Sequence, residues 1–278
     1  MQTMISVVIP AYKNHNEFLK KLKNNLSYLN NCEIIIVNDN PEKSLKQELK
    51  PFKNIILLEN KKNLGFSQTI NHGVAKAKEE YVMLLNDDVV LHDESFLAAV
   101  KYFKKDPQLF AVSFSQKEKD GSIVGKNVVY WKNGLFFHQK ADNLTFGDNG
   151  WAEGGACIID KQKFQKLGGF DPIYSPFYWE DIDLCYRAKK AGYKILFDPN
   201  IMVEHHHEST IGKYFSKDYV KTIAFRNQFL FIWKNIRGGK ILSHFLFLPF
   251  NLVYYIFKRE IAFIKGFFAA IKIYLFGY

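Results

Sequence analysis

The chain has 278 residues, a formal net charge of +10 and 47% hydrophobic residues, enough for one large domain, or one domain with an appendage, around a sizeable core. Its three cysteines, Cys32, Cys157 and Cys185, form no CxxC pair, which argues against structural zinc and a disulfide framework and fits a reducing compartment. The N-terminus enters a strand almost at once without the features of a signal peptide, so the expected location is cytoplasmic.

In chain order, apolar runs predict strands over 5–9, 33–37, 55–58, 81–85 and 110–114, separated by helical patterns over about 17–29, 67–77 and 94–103. Continuous apolar strands interleaved with helices imply an α/β fold with a mostly parallel sheet covered on both faces. Polar residues follow several strands: Asp39 after the second, Asn63 beyond the third, and Asn86-Asp87-Asp88 after the fourth. Strand ends of this kind line the ligand crevice of open α/β sheets. Adjacent carboxylates there are hard oxygen ligands suited to Mg²⁺ or Mn²⁺, ions that usually also bind substrate phosphates.

From about 115 to 160 the pattern is less regular. Asp120-Gly121 predicts a hairpin turn, and Trp131, Phe136, Phe137 and Trp151 suggest loops packed by aromatics. Helices are expected over 161–167, stopped by Gly168-Gly169, and over 181–190, stopped by Gly192. From Lys240 onward five basic residues and one acidic one are set among Phe, Leu, Ile and Tyr. The uncharged stretch 241–257 has 17 residues, short of the ~20 that a spanning helix wants. Lys258, Lys265 and Lys272 recur every seven residues, which predicts a basic stripe on an aromatic helix. Such a helix suits an anionic membrane surface; the alternatives are a tail that spans the membrane, or packing on the core or on a second copy of the chain, giving a homodimer through the tail. The expected organisation is a domain over 1–237, with halves of about 1–115 and 116–237, and a basic helical tail over 238–278.

Four signals occur in order: Ser6-Val7-Val8-Ile9-Pro10-Ala11-Tyr12; Ile34-Ile35-Ile36-Val37-Asn38-Asp39; Asn86-Asp87-Asp88; and Gly168-Gly169-Phe170-Asp171 followed by Trp179-Glu180-Asp181-Ile182-Asp183-Leu184 and Arg187. Together they resemble the family 2 glycosyltransferases, inverting enzymes with the GT-A fold, and the rhamnosyltransferase-like branch in particular. The resemblance covers about 4–235.

It implies roles for individual residues. Asp39 would accept the N3–H of a pyrimidine base, with Pro10, Ala11 and Tyr12 walling the nucleotide, and Asn63 and Gly65 in a loop near the donor. Asp88 matches the metal-binding acid of the family's Asp-X-Asp motif, whose first acid is here Asn86; Asp87 would turn to ribose or to the metal's surroundings. Asp181 matches the catalytic base, with Glu180 holding the acceptor or tuning it. Of His205-His206-His207, His205 fits the family's phrasing best as a metal or diphosphate contact, with His207 next and Ser209 following. Gly154 and Gly155 would allow close approach of backbone to donor sugar or acceptor; Trp151 and Glu153 are acceptor-side candidates, and Arg226 would reach the diphosphate. Asp183 and Arg187 read as structural supports.

The implied activity is transfer of a sugar from a UDP- or dTDP-linked donor, with Mn²⁺ or Mg²⁺, to a glycan or lipid-linked acceptor in cell-surface polysaccharide synthesis. It would take place at the inner face of the cell membrane, with no nucleic-acid partner. A non-catalytic scaffold that binds nucleotide-sugar or membrane is the alternative.

Overall fold

A computed structural model of the protein describes residues 5–205 and 211–277. In the first half, the strands and helices are β1 (Ile5–Ala11), α1 (His15–Leu26), β2 (Glu33–Asn38), α2 (Lys46–Leu49), β3 (Ile55–Glu59), α3 (Gly65–Lys76), β4 (Tyr81–Leu85), β5 (Val89–Leu91), α4 (Ala98–Lys105) and β6 (Leu109–Lys117). Then come β7 (Ile123–Val124), β8 (Asn127–Lys132), β9 (Leu135–Lys140), β10 (Gly147–Asp148), β11 (Ala156–Asp160), α5 (Lys161–Lys166), α6 (Glu180–Lys190) and β12 (Lys194–His205). Four helices close the chain: α7 (Ile211–Tyr214), α8 (Lys217–Asn235), α9 (Gly239–Phe257) and α10 (Ile261–Phe276).

The main sheet runs β10-β12-β6-β11-β4-β1-β2-β3. Strands β3, β2, β1 and β4 are mutually parallel, β11 is antiparallel to both β4 and β6, and β12 is parallel to β6. Six strands therefore point their C-terminal ends to one edge, and β11 offers its N-terminal end there. The expected mostly parallel sheet flanked by helices is what forms. Because β11 sits between β4 and β6, the two halves anticipated over 1–115 and 116–237 share one sheet.

Alternation along each strand divides the core into two layers. Val8, Ile35, Val37 and Leu84 face α3, where Ile70 and Val74 meet them. Val7, Ile9, Ile36 and Met83 face the other way, onto Phe18 and Leu22 of α1 and Phe103 of α4. Both layers are closed, so the strands lack polar faces and read as unbroken apolar runs. A Cβ at Gly73 would lie 2.4 Å from Val8 Cγ1; glycine is what lets α3 pack this closely on β1.

All five expected strands form. The helical pattern over 94–103 divides into a 3₁₀ turn, Ser95–Leu97, and α4. Asp120-Gly121 does turn the chain, between β6 and β7. The tail departs from expectation. Lys258 caps the end of α9, and Arg259, with φ at 55°, breaks the chain before α10. The three lysines therefore do not form one stripe: Lys265 and Lys272 share α10, while Lys258 belongs to the turn.

Candidate active site

Strand β4 delivers Asn86, Asp87 and Asp88 to the C-terminal edge. The Asn86 amide N–H donates to Gly155 O at 2.9 Å, joining this turn to the loop that precedes β11. At Gly155 a Cβ would lie 2.3 Å from the Asn86 amide nitrogen, so the side chain at 86 fills the space that glycine leaves. Gly154 abuts Phe66 and Phe170, with 3.1 Å separating a Cβ there from the Phe66 ring.

Asp88 faces the end of β12. His205 Nε2 lies 3.2 Å from Asp88 Oδ1, and the histidine is only 4% exposed. Behind it, His205 Nδ1 is 2.6 Å from Gln116 Oε1 of β6. Gln116 Nε2 donates to Glu153 Oε2 at 2.9 Å, and Asn127 Nδ2 donates to Glu153 Oε1 at 3.1 Å. An ionised carboxylate only accepts, so Glu153 fixes the Gln116 amide with its oxygen toward the histidine. That places the imidazole proton on Nδ1 and turns the Nε2 lone pair toward Asp88. A metal-binding histidine is oriented in this manner, by a partner on its other nitrogen.

The donor set fits a divalent cation. Two ligands each ~2.1 Å from one ion at right angles are ~3 Å apart, close to the Asp88–His205 separation. Among the described residues no group of three or more His, Cys, Asp or Glu side chains forms a ready-made cage. Two protein ligands with the remaining positions left to water and phosphate is the usual arrangement for Mg²⁺. His206, His207 and Ser209 lie outside the described residues.

Asp87 contributes differently. Its Oδ2 accepts from the Tyr12 N–H at 3.4 Å, tying the β4 turn to the end of β1. Burial, reinforced by the charge of Asp88, pushes its carboxyl up to about 8.

The nucleotide side is organised by Asp39, 5% exposed. Its Oδ1 accepts from the Leu64 N–H and from Asn60 Nδ2, each at 2.8 Å, and its Oδ2 accepts from the Gly65 N–H at 2.9 Å. Burial raises its pKa, opposed by these donors. The acid thus anchors the start of α3, where the Thr69 side chain is a further hydrogen-bond partner. Gly65, with φ at 76°, needs glycine for the turn, and Asn63 Oδ1 also accepts its N–H at 3.0 Å. Ala11 is fully buried and acts through its main chain: its O accepts from the Asp39 N–H at 2.9 Å. Tyr12, beyond the half-buried Pro10, lies edge-on to Tyr214. A cleft of about 550 Å³ opens beside Tyr12, lined by Lys13, Lys20 and Lys43 together with Glu17.

The third element is the start of α6. Glu180 is 5% exposed, and its Oε2 has no hydrogen-bond partner among the described residues. Asp181 is half-buried; its Oδ1 accepts from Ile182 N–H at 2.8 Å and its Oδ2 from Gly154 N–H at 3.4 Å. Burial raises both carboxyls, Glu180 being further raised by Asp181 and Asp181 by Glu153. Asp181 reaches about 7. The Gly154 contact closes a continuous path from Asp181 through the 153–155 loop to Asn86, Asp87 and Tyr12, and on through Ala11 to Asp39.

What holds this helix start in place was only partly foreseen. Asp183, with no exposure, accepts from Tyr174 Oη at 2.9 Å, Asn235 Nδ2 at 2.7 Å and Arg187 Nε at 2.7 Å, the supporting role read for Asp183 and Arg187. Arg226 has a different task from the diphosphate contact expected of it. Its guanidinium donates to Tyr174 O and Ser175 O, and Asn227 Nδ2 donates to Tyr174 O, Phe177 O and Tyr178 O. Helix α8 therefore clamps the segment leading into Trp179, whose φ of 78° turns the chain into α6. Trp151 is also placed elsewhere: it is 6% exposed, packed edge-on to His138 within the core, and presents no open face to a sugar.

Comparison with known proteins bears on family and fold. The sequence profile of Glycosyl transferase family 2 matches residues 6–168, more than half of the chain. Rhamnosyltransferase WbbL of Escherichia coli (strain K12) is 24% identical over 261 residues, 87% of this chain and 96% of that protein. Poly-beta-1,6-N-acetyl-D-glucosamine synthase of Staphylococcus aureus (strain COL) is 25% identical over 61% of this chain, which spans only 42% of that protein. Among solved structures, GalNAc-T7 with UDP, GalNAc and Mn²⁺ aligns with a TM-score of 0.64 at 16% identity, over 82% of this chain and 47% of that one. The mannosyltransferase PcManGT from Pyrobaculum calidifontis, in complex with GDP-Man and Mn²⁺, aligns with a TM-score of 0.60 at 14% identity, over 99% and 88%. At these identities the structures speak for the fold, which is GT-A. By sequence and architecture together, the chain belongs to glycosyl transferase family 2 and is a glycosyltransferase.

Proposed function

We propose that the enzyme is an inverting transferase that moves a sugar from a UDP- or dTDP-linked donor to a glycan or lipid-linked acceptor in cell-surface polysaccharide synthesis. The reaction is one in-line displacement. Asp181 accepts the proton of the acceptor hydroxyl as its oxygen attacks the anomeric carbon, and the bond from that carbon to the diphosphate breaks on the opposite face. The observation that carries this reading is the path of hydrogen bonds and adjoining main chain that links Asp181, through the 153–155 loop and the Asn86-Asp87-Asp88 turn, to Asp39. Asp181 alone of the Glu180-Asp181 pair is partly open, and its raised pKa keeps it basic enough to take a proton near neutral pH.

Asp88 and His205 are the residues that would hold Mn²⁺ or Mg²⁺; bound there, the ion supplies Lewis-acid neutralisation of the departing diphosphate. Mn²⁺ in both structural neighbours supports that assignment. The place of Asp39 just after β2, at the sheet's C-terminal edge, supports the pyrimidine contact, and the lysines of the cleft, Lys13, Lys20 and Lys43, suit an anionic donor. Work at the cytoplasmic face of the cell membrane is proposed from the character of the tail.

The test is a donor screen that reads nucleotide diphosphate release. Asp181→Asn is expected to lower transfer by about 10²–10⁴-fold, with donor binding by calorimetry nearly unchanged. Full turnover in that variant would remove the base assignment.

A further inference from the structure

Helix α9 inverts the usual amphipathic rule. Ile241, His244, Leu248, Leu252 and Tyr255 turn toward the protein at helical spacing, buried or half-buried. The opposite face, where a helix on a water-soluble domain places its charges, carries Leu242, Leu246, Phe250, Val253 and Phe257, exposed by 52–84%. From Ile241 to Phe257 there is no charged residue, while Lys240 stands before this stretch and Lys258 and Arg259 after it. Helix α10 continues the surface with alternating cations and apolar groups: Ile261, Lys265, Phe268, Lys272 and Leu275 are all exposed. The one acidic residue at this border, Glu260, is paired with Lys221 at 2.8 Å, so an apolar face with a cationic border matches an anionic lipid surface.

By length and composition α9 could cross a bilayer. Its 19 residues extend about 29 Å against a hydrocarbon core of about 30 Å. Both of its ends, however, are fastened to the same domain. Near the N-terminal end, His244 is fully buried, donates through Nδ1 to Gly134 O at 2.7 Å and accepts from Trp233 Nε1 of α8 at 3.0 Å. Further along, Asn251 Nδ2 donates to Asn133 O at 2.9 Å. At the C-terminal end Tyr255 stacks on Phe263 of α10 at 3.8 Å, and α10 lies against α8 so closely that a Cβ at Gly266 would be 2.8 Å from the Arg226 nitrogen. A helix whose two ends join one body on one side cannot also cross.

We infer that α9 lies in the plane of an anionic bilayer, immersed to about 5–10 Å along its outer face, with α10 strapping it to the catalytic domain. The occupant of this face is lipid. The helix rests on the β8–β9 hairpin, where Trp131 Nε1 donates to Ser243 Oγ at 3.1 Å. The same hairpin carries Phe136, whose ring lies 6.2 Å from that of Trp179, the residue before Glu180-Asp181. A chain of contacts thus runs from α9 through this hairpin to the residue that precedes Glu180-Asp181. This placement deepens the proposed function, on which the choice of a lipid-anchored acceptor rests: the acceptor's hydroxyl is met at the headgroup level.

The experiment uses the full chain and vesicles of phosphatidylcholine with or without phosphatidylglycerol. Flotation is expected with the anionic vesicles, and Leu246→Glu or Phe250→Glu is expected to weaken it more than about tenfold, with nucleotide binding by calorimetry as the check that the domain is intact. Depth is read by attaching bimane at Leu242→Cys, Phe250→Cys and Phe257→Cys, with Cys32 replaced by serine, and quenching with lipids spin-labelled at different depths. Equal, shallow quenching at all three sites supports the in-plane helix. Deep quenching at 250 with shallow ends would mean a crossing helix and overturn it. Absence of flotation, or a dimer that Phe250→Glu dissociates and that ignores vesicles, would assign the face to a second copy and overturn it too. If the wild-type chain floats but binds no nucleotide, the proposed function falls and the membrane face stands.

Discussion

Gly155 and Asn86 occupy each other's space. The amide of Asn86 stands where a Cβ on Gly155 would be, at 2.3 Å, while the main chains of the two residues are joined by the N–H of Asn86 and the carbonyl of Gly155 at 2.9 Å. The turn that carries Asp87-Asp88 and the loop that contacts Asp181 are therefore registered to one another by a side chain and a missing side chain. Gly155→Ala is expected to push Asn86 aside and displace Asp87-Asp88 by a few tenths of an ångström or more. Activity should fall by about 10²-fold, as misplacement of this order does in catalytic sites, and the double variant Gly155→Ala, Asn86→Ala should recover part of it. No recovery would mean that Asn86 has a role of its own toward the ligand.

The pH profile offers a second test. The proposed base, Asp181, would act only when ionised, so kcat/KM is expected to rise with pH through about 7. After burial, Glu153 is the leading cause of that elevation. Glu153→Gln removes the neighbouring negative charge and should shift the rising limb to lower pH. An inflection that stays in place in Glu153→Gln would point to a different group.

The strand-end positions of the candidate residues were legible because short-range rules place them. Asp39 and Asp88 follow apolar runs, and an apolar run in an α/β chain has few conformations to choose from. Asp181 opens a helix where acids complement the dipole, so its position was legible as well. His205 was found by phrasing, but its position beside Asp88 depends on β12 pairing with β6 in parallel, a contact between distant parts of the chain. Gln116 and Glu153 escaped notice as a relay for the same reason: one ends a strand, the other sits in a loop, and only the sheet order joins them. Trp151 shows the opposite failure. An aromatic residue beside a glycine pair resembles a sugar platform, yet burial against His138 decides its role, and burial is not written locally. The three tail lysines had the right period for one helix; a turn at Arg259 with positive φ divided them.

Gln116 is a positioning residue, and its effect should appear in metal affinity. Gln116→Leu removes the acceptor that keeps the proton on His205 Nδ1, so Nε2 no longer faces Asp88 in a fixed tautomer. The Mn²⁺ concentration for half-maximal nucleotide binding is expected to rise about 10–100-fold. A merely structural role would lower the melting temperature and leave that concentration where it was. Equal Mn²⁺ dependence in variant and wild type would sink the relay.

Glu180 tests whether the site is held against its own electrostatics. Its carboxyl is buried, one oxygen lacks a partner among the described residues, and burial with the neighbouring charge of Asp181 raises its pKa from an ordinary value near 4.5 to about 8. Below pH 4.5 both folded and unfolded chains carry the proton, and the group contributes no pH dependence. Between there and about 8 the unfolded chain ionises first, so stability falls as pH rises, and above 8 the whole cost is present. Glu180→Gln keeps the shape and removes the charge. It is therefore expected to raise the melting temperature at pH 8–9, by roughly 2–4 °C for each ~1 kcal/mol recovered, and to leave it nearly unchanged at pH 4. The gain should come with a loss of turnover, since strain of this kind is kept where catalysis requires it. A variant equally stabilised at both pH values would owe its gain to packing, and the buried charge would carry no cost.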